Sequence, residues 1–348
     1  MKAVRSPHNP IIEPKDLTPS RDDFEIIGVL NAGVTRFKDT VILLVRVAER
    51  PINENSDVVL TAVYDVGEKD LAVKEFPKSD PDTDFSDPRL IVRSGQTYLT
   101  SISHLRIGRS KDDINFEIDD KPTISAANEY ETFGIEDPRI TLVDGTYYIH
   151  YVAVSAFGVV TCLASTQDLV NFRRHGVIFC PDNKDVAIFQ GKASDRFYAL
   201  HRPVSPLFNM QDIWVADSGD LLTWGNHRRL LGPRPGCWDE AKVGAGAVPF
   251  KIEQGWLEVY HGVDRDNRYC LGAALLDSAE PWRVLARSTE PILAPQSDYE
   301  CEGFFGNVVF SCGLLCEDDK LRIYYGAADT TICYAELSLQ EIIDSLSD

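Results

Sequence analysis

"DPRITLVDGTYYIHYVAV", residues 137–154, reads as an apolar strand, a turn at Asp144-Gly145 and a second strand rich in aromatic and aliphatic residues. The chain then runs into a third strand that closes in a Ser/Asp turn and an aromatic, "LASTQDLVNF" at 163–172. The same unit opens at "AGVTRFKDTVILLVRVAE" (32–49), "DPRLIVRSGQTYLTSIS" (87–103), "DVAIFQGKASDRFYALHRP" (185–203), "GAVPFKIEQGWLEVYHGV" (246–263) and "NVVFSCGLLCEDDKLRIYYGAAD" (307–329). Phe116, Phe172 and Trp224 close three of the units and lie about 55 residues apart. That period fits the four-stranded blades of a β-propeller. The fold class is therefore all-β, with helix expected only in the last residues, "LSLQEIIDSLSD". Six openings are visible, and the stretch from about 51 to 100 is irregular. Six plain blades, or five with an elaborated first blade, both satisfy the pattern. No linker or low-complexity segment divides residues 1–348, so a single domain is expected.

Composition narrows the functions. The 348 residues are 44% hydrophobic, enough for a large core, and the formal charge of −19 argues against nucleic-acid or anionic-membrane partners. No segment approaches the roughly 20 apolar residues of a membrane span, and the first residues lack a signal-peptide core, so a cytoplasmic location is the default. The eight cysteines show no CxxC pair and no histidine at metal spacing, which suggests neither zinc nor a disulfide framework. Helical tails and edge strands often serve assembly, which leaves a homo-oligomer open.

The strand openings carry the candidate chemistry: Asn31, Asp87, Asp137, Lys184 with Asp185, Lys242 and Asn307. Asp137 stands between Glu136 and Pro138-Arg139. A neighbouring acid raises a carboxyl pKa and an arginine lowers it, so the position can be tuned toward general acid work. The bland alternative is an aspartate that caps its strand and pairs with Arg139, and the second Asp-Pro-Arg at 87–89 keeps that alternative alive. A basic and aromatic set, Lys184, Lys192, His201, Arg202, Lys242, Tyr260 and His261, recurs at comparable places, although Lys192 falls in a hairpin. In so acidic a chain, gathered cations are what a phosphate dianion requires, whereas scattered ones are surface ion pairs. "VGAGAVPF" lacks P-loop or dinucleotide spacing, no GxSxG occurs, and Trp238 is a candidate for stacking on a sugar.

Taken in order, "NAGVTRF", "LLVRVAERP", "FGIEDPRIT", "NKDVAIF", "YALHRP", "DIWVADSGDLLTWG", "KVGAGAVPF", "GWLEVYHGV", "YECEGFFGNVVFSCG" and "IYYGAADT" resemble glycoside hydrolase family 130, the mannoside phosphorylases and mannosidases. The resemblance implies a single five-bladed β-propeller, with Asp137 as catalytic acid and its proton relayed through the mannose 3-hydroxyl. It implies phosphate held by Lys184, Arg202, Tyr260 and His261. It places Asn31, Arg46, Asp87 and Asp329 around the terminal mannose, with Glu136, Arg139, Asp185 and Lys242 as adjoining substrate-site candidates. Lys184 stands where some relatives carry Arg. The retained basic set implies inverting phosphorolysis, with inorganic phosphate as co-substrate, no metal and no organic cofactor. "RVAERP", "NEYETFGIEDPRIT" and "ICYAELSLQEII" are closest to enzymes of β-1,2-linked mannobiose and mannooligosaccharides. The competing readings are a β-1,4-mannosyl phosphorylase, a β-mannosidase with Glu129, Glu131 or Glu302 as base, and a non-catalytic glycan-binding propeller.

Overall fold

The computed structural model describes residues 3–205, 207–208 and 211–346. The chain is all-β, built mainly from five antiparallel sheets laid down in order. Sheet I holds Phe24–Phe37, Thr40–Pro51, Ile102–Ser110 and Glu117–Ile118. Sheet II holds Ile135–Val143, Thr146–Ser155, Gly158–Thr166 and Arg173–Phe179. Sheet III holds Asn183–Ala193, Arg196–Pro203, Ile213–Ser218 and Trp224–Leu231. Sheet IV holds Lys242–Ala245, Gly255–Val263, Tyr269–Leu276 and Val284–Arg287, with the short Phe250–Ile252 paired to its second strand. In sheet V, Val309–Glu317, Lys320–Ala327 and Thr331–Ser338 are joined by the N-terminal strand Val4–Arg5.

Separate apolar clusters join sheets I to II, II to III, III to IV, IV to V, and V back to I. Strand geometry explains the composition this needs. Successive side chains of a strand point to opposite faces, so a strand packed on both faces reads as a nearly continuous apolar run. In Thr40–Pro51, Ile42 and Leu44 join the cluster with sheet II, whereas Val41, Leu43, Val45 and Val47 join the cluster with sheet V. Arg46 continues the series that faces sheet II and reaches that sheet's first strand.

The sixth opening, at 87–103, is not a four-stranded unit. Between the second and third strands of sheet I the chain forms a hairpin, Val58–Asp65 with Asp70–Pro77, and a small sheet of Thr83–Asp84, Leu90–Arg93 and Gln96–Leu99. The strands of the small sheet are short and largely uncovered, whereas the hairpin packs through Ala62 and Leu71 on Phe24 and Ile102 of sheet I. The C-terminal helix is present as Leu339–Ser345, its start capped by the Ser338 hydroxyl, which accepts from the Glu341 amide. Among the described residues, no helix is long and apolar enough to cross a membrane.

Candidate active site

Three of the first strands carry the same device. At Asn31, Asp137 and Asp185 the ladder slips by a bulge, and each residue has a positive φ, 50°, 48° and 52°. Asn and Asp tolerate the left-handed region better than other residues with a Cβ, and a bulge re-aims the side chain it carries. Pro138 fits the interruption, because its missing N–H removes no ladder bond there. All three bulged side chains line one cavity of about 630 Å³. Gly33 allows the strands to meet below it, since a Cβ there would lie 2.8 Å from the Pro138 carbonyl oxygen. The glycines of "KVGAGAVPF" have a similar reason: a Cβ on Gly244 would sit 2.3 Å from an Asp185 carboxylate oxygen.

One wall is acidic. Asp137 Oδ1 accepts from Asn31 Nδ2 and from Arg46 Nη1, both at 2.9 Å, while Arg46 Nη2 donates to Glu136 Oε1 at 2.8 Å. Burial pushes the Asp137 carboxyl up, but Arg46, Asn31 and Arg139 outweigh burial and hold it below the usual aspartate value. Asp329 faces the same cavity and goes the other way. Burial, reinforced by Asp137 and Glu136, raises it to about 6 against the pull of Arg46 and Arg89.

A second group in the cavity is cationic: Lys184, Arg202, Lys242 and the ring of His261 line it, and Arg89 enters from the small sheet. Arg202 donates through Nε to Asp185 Oδ2 at 2.6 Å and through Nη1 to Gln211 Oε1 at 2.6 Å. Asp185 is thereby committed to fixing the guanidinium. Burial would raise its pKa, yet Arg202, His261 and Arg139 hold it well below the ordinary range. Burial lowers His261 to about 3, so its ring is neutral at pH 7. Burial also lowers Lys242 to about 8, helped by Arg202, Lys184 and Arg89 and opposed by Asp185. A buried lysine held down in part by three neighbouring cations marks a site that a dianion relieves.

Five of the candidate residues are placed elsewhere. Tyr260 does not reach the cavity: strand alternation turns it toward sheet III while His261 faces the other way. Its hydroxyl donates to Asp239 Oδ2 at 2.9 Å and accepts from Arg287 Nε at 2.9 Å. Asp87 is also outside, since its carboxylate is held by Arg89 Nε at 3.0 Å and Nη2 at 2.8 Å. Arg139 is buried beneath the cavity, where Nη2 donates to the Ala245 carbonyl at 2.8 Å and Nε to that of Gly246. Trp238 is unavailable for stacking on a sugar in the cavity, because it packs on Tyr260 with ring centroids 5.5 Å apart. Lys192 lies over the ring of Phe197, away from the cavity.

Tyr269 and Arg89 are among the lining residues missed by the sequence reading. Tyr269, whose hydroxyl bonds Lys242 Nζ and whose ring stacks on His261, opens its strand directly after the polar turn "DRDNR", a signal that was there to use. Arg89 was hidden behind its aspartate. None of the candidate water-activating acids lines the cavity; Glu131 is buried against Arg174 and the Tyr151 hydroxyl.

Comparison with known proteins gives concordant results. A family model described as beta-1,4-mannooligosaccharide phosphorylase matches residues 87–348. The chain is 47% identical to the beta-1,2-mannobiose phosphorylase of Listeria innocua, over 99% of both chains. It is 43% identical to the 1,2-beta-oligomannan phosphorylase of Thermoanaerobacter sp., over 70% of this chain and 82% of that one. The solved structure of a Listeria innocua beta-1,2-mannobiose phosphorylase in complex with beta-1,2-mannobiose superposes with a TM-score of 0.97, covering 99% of both chains at 47% identity.

Proposed function

The chain belongs to glycoside hydrolase family 130, and from that premise we propose that it is an inverting phosphorylase of β-1,2-linked mannobiose and mannooligosaccharides, releasing α-mannose 1-phosphate. The observation that carries the reading is a single cavity lined by Asp137 together with Lys184, Arg202 and Lys242. We read the five sheets as blades of one five-bladed β-propeller domain, with residues 52–101 elaborating the first blade.

In this reading, HPO₄²⁻ occupies the cationic wall, with Arg202 giving a fixed fork, Lys184 and Lys242 point charges, and His261 with Tyr269 closing the pocket. A phosphate oxygen forms a bond to the anomeric carbon as the bond from that carbon to the leaving oxygen breaks on the opposite face. The leaving sugar takes a proton, and the phosphate gives up one overall, so the reaction is balanced without a cofactor. Asp137 delivers the proton, relayed through the mannose 3-hydroxyl. In the free protein Arg46 and Asn31 favour the ionised form of Asp137. Phosphate entering the cavity partly offsets the cationic field and thereby favours protonation of the acid. Asn31, Arg46, Glu136 and Asp329 hold the terminal mannose. One carboxylic acid suffices, because the nucleophile arrives already anionic, whereas an inverting hydrolase needs a second carboxylate to activate water.

The test is incubation with β-1,2-mannobiose with and without inorganic phosphate, followed by analysis for mannose 1-phosphate. Product that forms only with phosphate is expected. Mannose released at an equal rate without phosphate would exclude the reading.

A further inference from the structure

The acid and the phosphate-binding arginine rest on one guanidinium. Arg139 is buried; its Nη1 donates to the Asp137 carbonyl oxygen at 3.4 Å, and its Nη2 lies 3.7 Å from Asp185 Oδ1. Asp185 in turn fixes the Arg202 fork. Arg139 is itself seated at the end of the first strand of sheet IV, on the carbonyls of Ala245 and Gly246. That seat is held from the neighbouring strand by Glu258, whose Oε1 accepts from the Gly246 amide at 3.0 Å. The amide and the carbonyl of Gly246 thus pass the constraint from Glu258 to Arg139. Glu258 is 0% exposed, and its Oε2 has no hydrogen-bond partner among the described residues.

Packing alone does not account for a carboxyl placed this way. Burying it is unfavourable, and a leucine would fill a similar volume with no polar atom left over. What a leucine cannot do is accept from the Gly246 amide. Burial pushes the Glu258 carboxyl well above the usual glutamate range, with Asp185 adding to it and the Gly246 amide and Arg139 opposing it. The group is therefore neutral at pH 7, and a neutral acid leaves the charge of Arg139 to Asp137 and Asp185. We propose that Glu258 is a positioning residue for phosphorolysis: by holding the Gly246 peptide it fixes Arg139, and through Arg139 it keeps Asp137 and Arg202 in register. Glu258 touches no reacting atom, and no step passes through it. The inference rests on the roles proposed above for Asp137 and Arg202.

The test compares the wild type with Glu258→Gln and Glu258→Leu, as kcat and KM for β-1,2-mannobiose and for phosphate, on protein with native circular dichroism. Glu258→Gln keeps an uncharged acceptor for the Gly246 amide, so its kcat should stay within about 2-fold of wild type. Glu258→Leu keeps the bulk and loses the acceptor. Its kcat should fall about 10-fold or more, since a misplacement of about 1 Å can cost about 10²-fold in rate. KM for mannobiose should change less than about 3-fold, because Asn31, Arg46 and Asp329 are carried by sheets I and V. A glutamate that served stability alone would lower the Tm of Glu258→Leu and leave kcat at the wild-type value, which overturns the proposal. A 10-fold loss of kcat in Glu258→Gln overturns it as well. If Glu258→Leu does not fold, Glu258→Asp, which withdraws the carboxyl by one methylene, takes its place with the same expected loss and the same overturning result. A wild type that releases mannose without phosphate counts against the proposed function alone, and the same comparison of kcat then tests Glu258 through Asp137. A wild type with no turnover of mannobiose by either route overturns both.

Discussion

The tripeptide Asp-Pro-Arg occurs twice, and the two copies exchange the roles of their charged residues. At 137–139 the aspartate sits on a bulge and faces the cavity, while the arginine is buried beneath it against two carbonyls. At 87–89 the arginine faces the cavity, and the aspartate stands behind it as its counter-ion. The difference lies in what surrounds each copy. The first strand of sheet II is packed on both faces, so the Arg139 guanidinium must find carbonyl partners inside. The small sheet is largely uncovered, so Arg89 is free to reach outward. Identical local sequence therefore gives an acid in one place and a cation in the other.

The largest expected effect separates the two aspartates. Asp137→Asn should lower kcat for phosphorolysis by about 10²–10⁴, the usual contribution of a positioned general acid, with mannobiose binding retained in calorimetry. Asp87→Asn should leave kcat near wild type and raise KM modestly through a less well held Arg89. Comparable losses of kcat in both would end the contrast. The arginines should differ in the opposite currency, which is stability. Arg139→Met should cost about 3–5 kcal/mol in denaturant unfolding, the cost of breaking a buried charge network. Arg89→Met, at a pair that is half exposed, should cost less than about 1 kcal/mol.

A smaller effect concerns pH. Lys242 carries its charge below about 8 and loses it above, so kcat/KM for phosphate, which reports the free enzyme, should fall as pH rises through 8. Lys242→Met should remove that alkaline limb. Arg89 is among the cations that depress Lys242, so Arg89→Met should shift the limb upward by a few tenths of a pH unit. No shift in that variant would place Arg89 too far from the anion to matter.

Much of this arrangement was legible from sequence, and the misses share a cause. The repeating strand pairs and the candidates Asp137, Lys184, Arg202 and His261 follow from residue type and position in the repeat, whereas the catalytic role expected of Asp137, and Arg46 as a site residue, came with the motifs of the resembled family. Tyr260 lies outside the cavity because neighbouring strand residues face opposite ways, so Tyr260 and His261 do not both enter it; Tyr269, which does line it, belongs to the next strand, Tyr269–Leu276. Asp87 lies outside the cavity, which the tripeptide does not disclose, because it does not show which of its faces is covered. The bulges at Asn31 and Asp185 leave no mark that distinguishes them from uninterrupted strand, since the slip is decided by packing against the neighbouring sheets.

The strand Val4–Arg5 completes sheet V by pairing with Ala335 and Glu336, and Arg5 binds the buried Glu300. During synthesis Val4 and Arg5 must therefore wait for Ala335 and Glu336 before their partners exist. The cavity waits with them, because Asn31 and Asp329 line it together. A nascent chain that has not yet supplied sheet V has no complete site, so binding competence arrives only once residues 309–338 have been made.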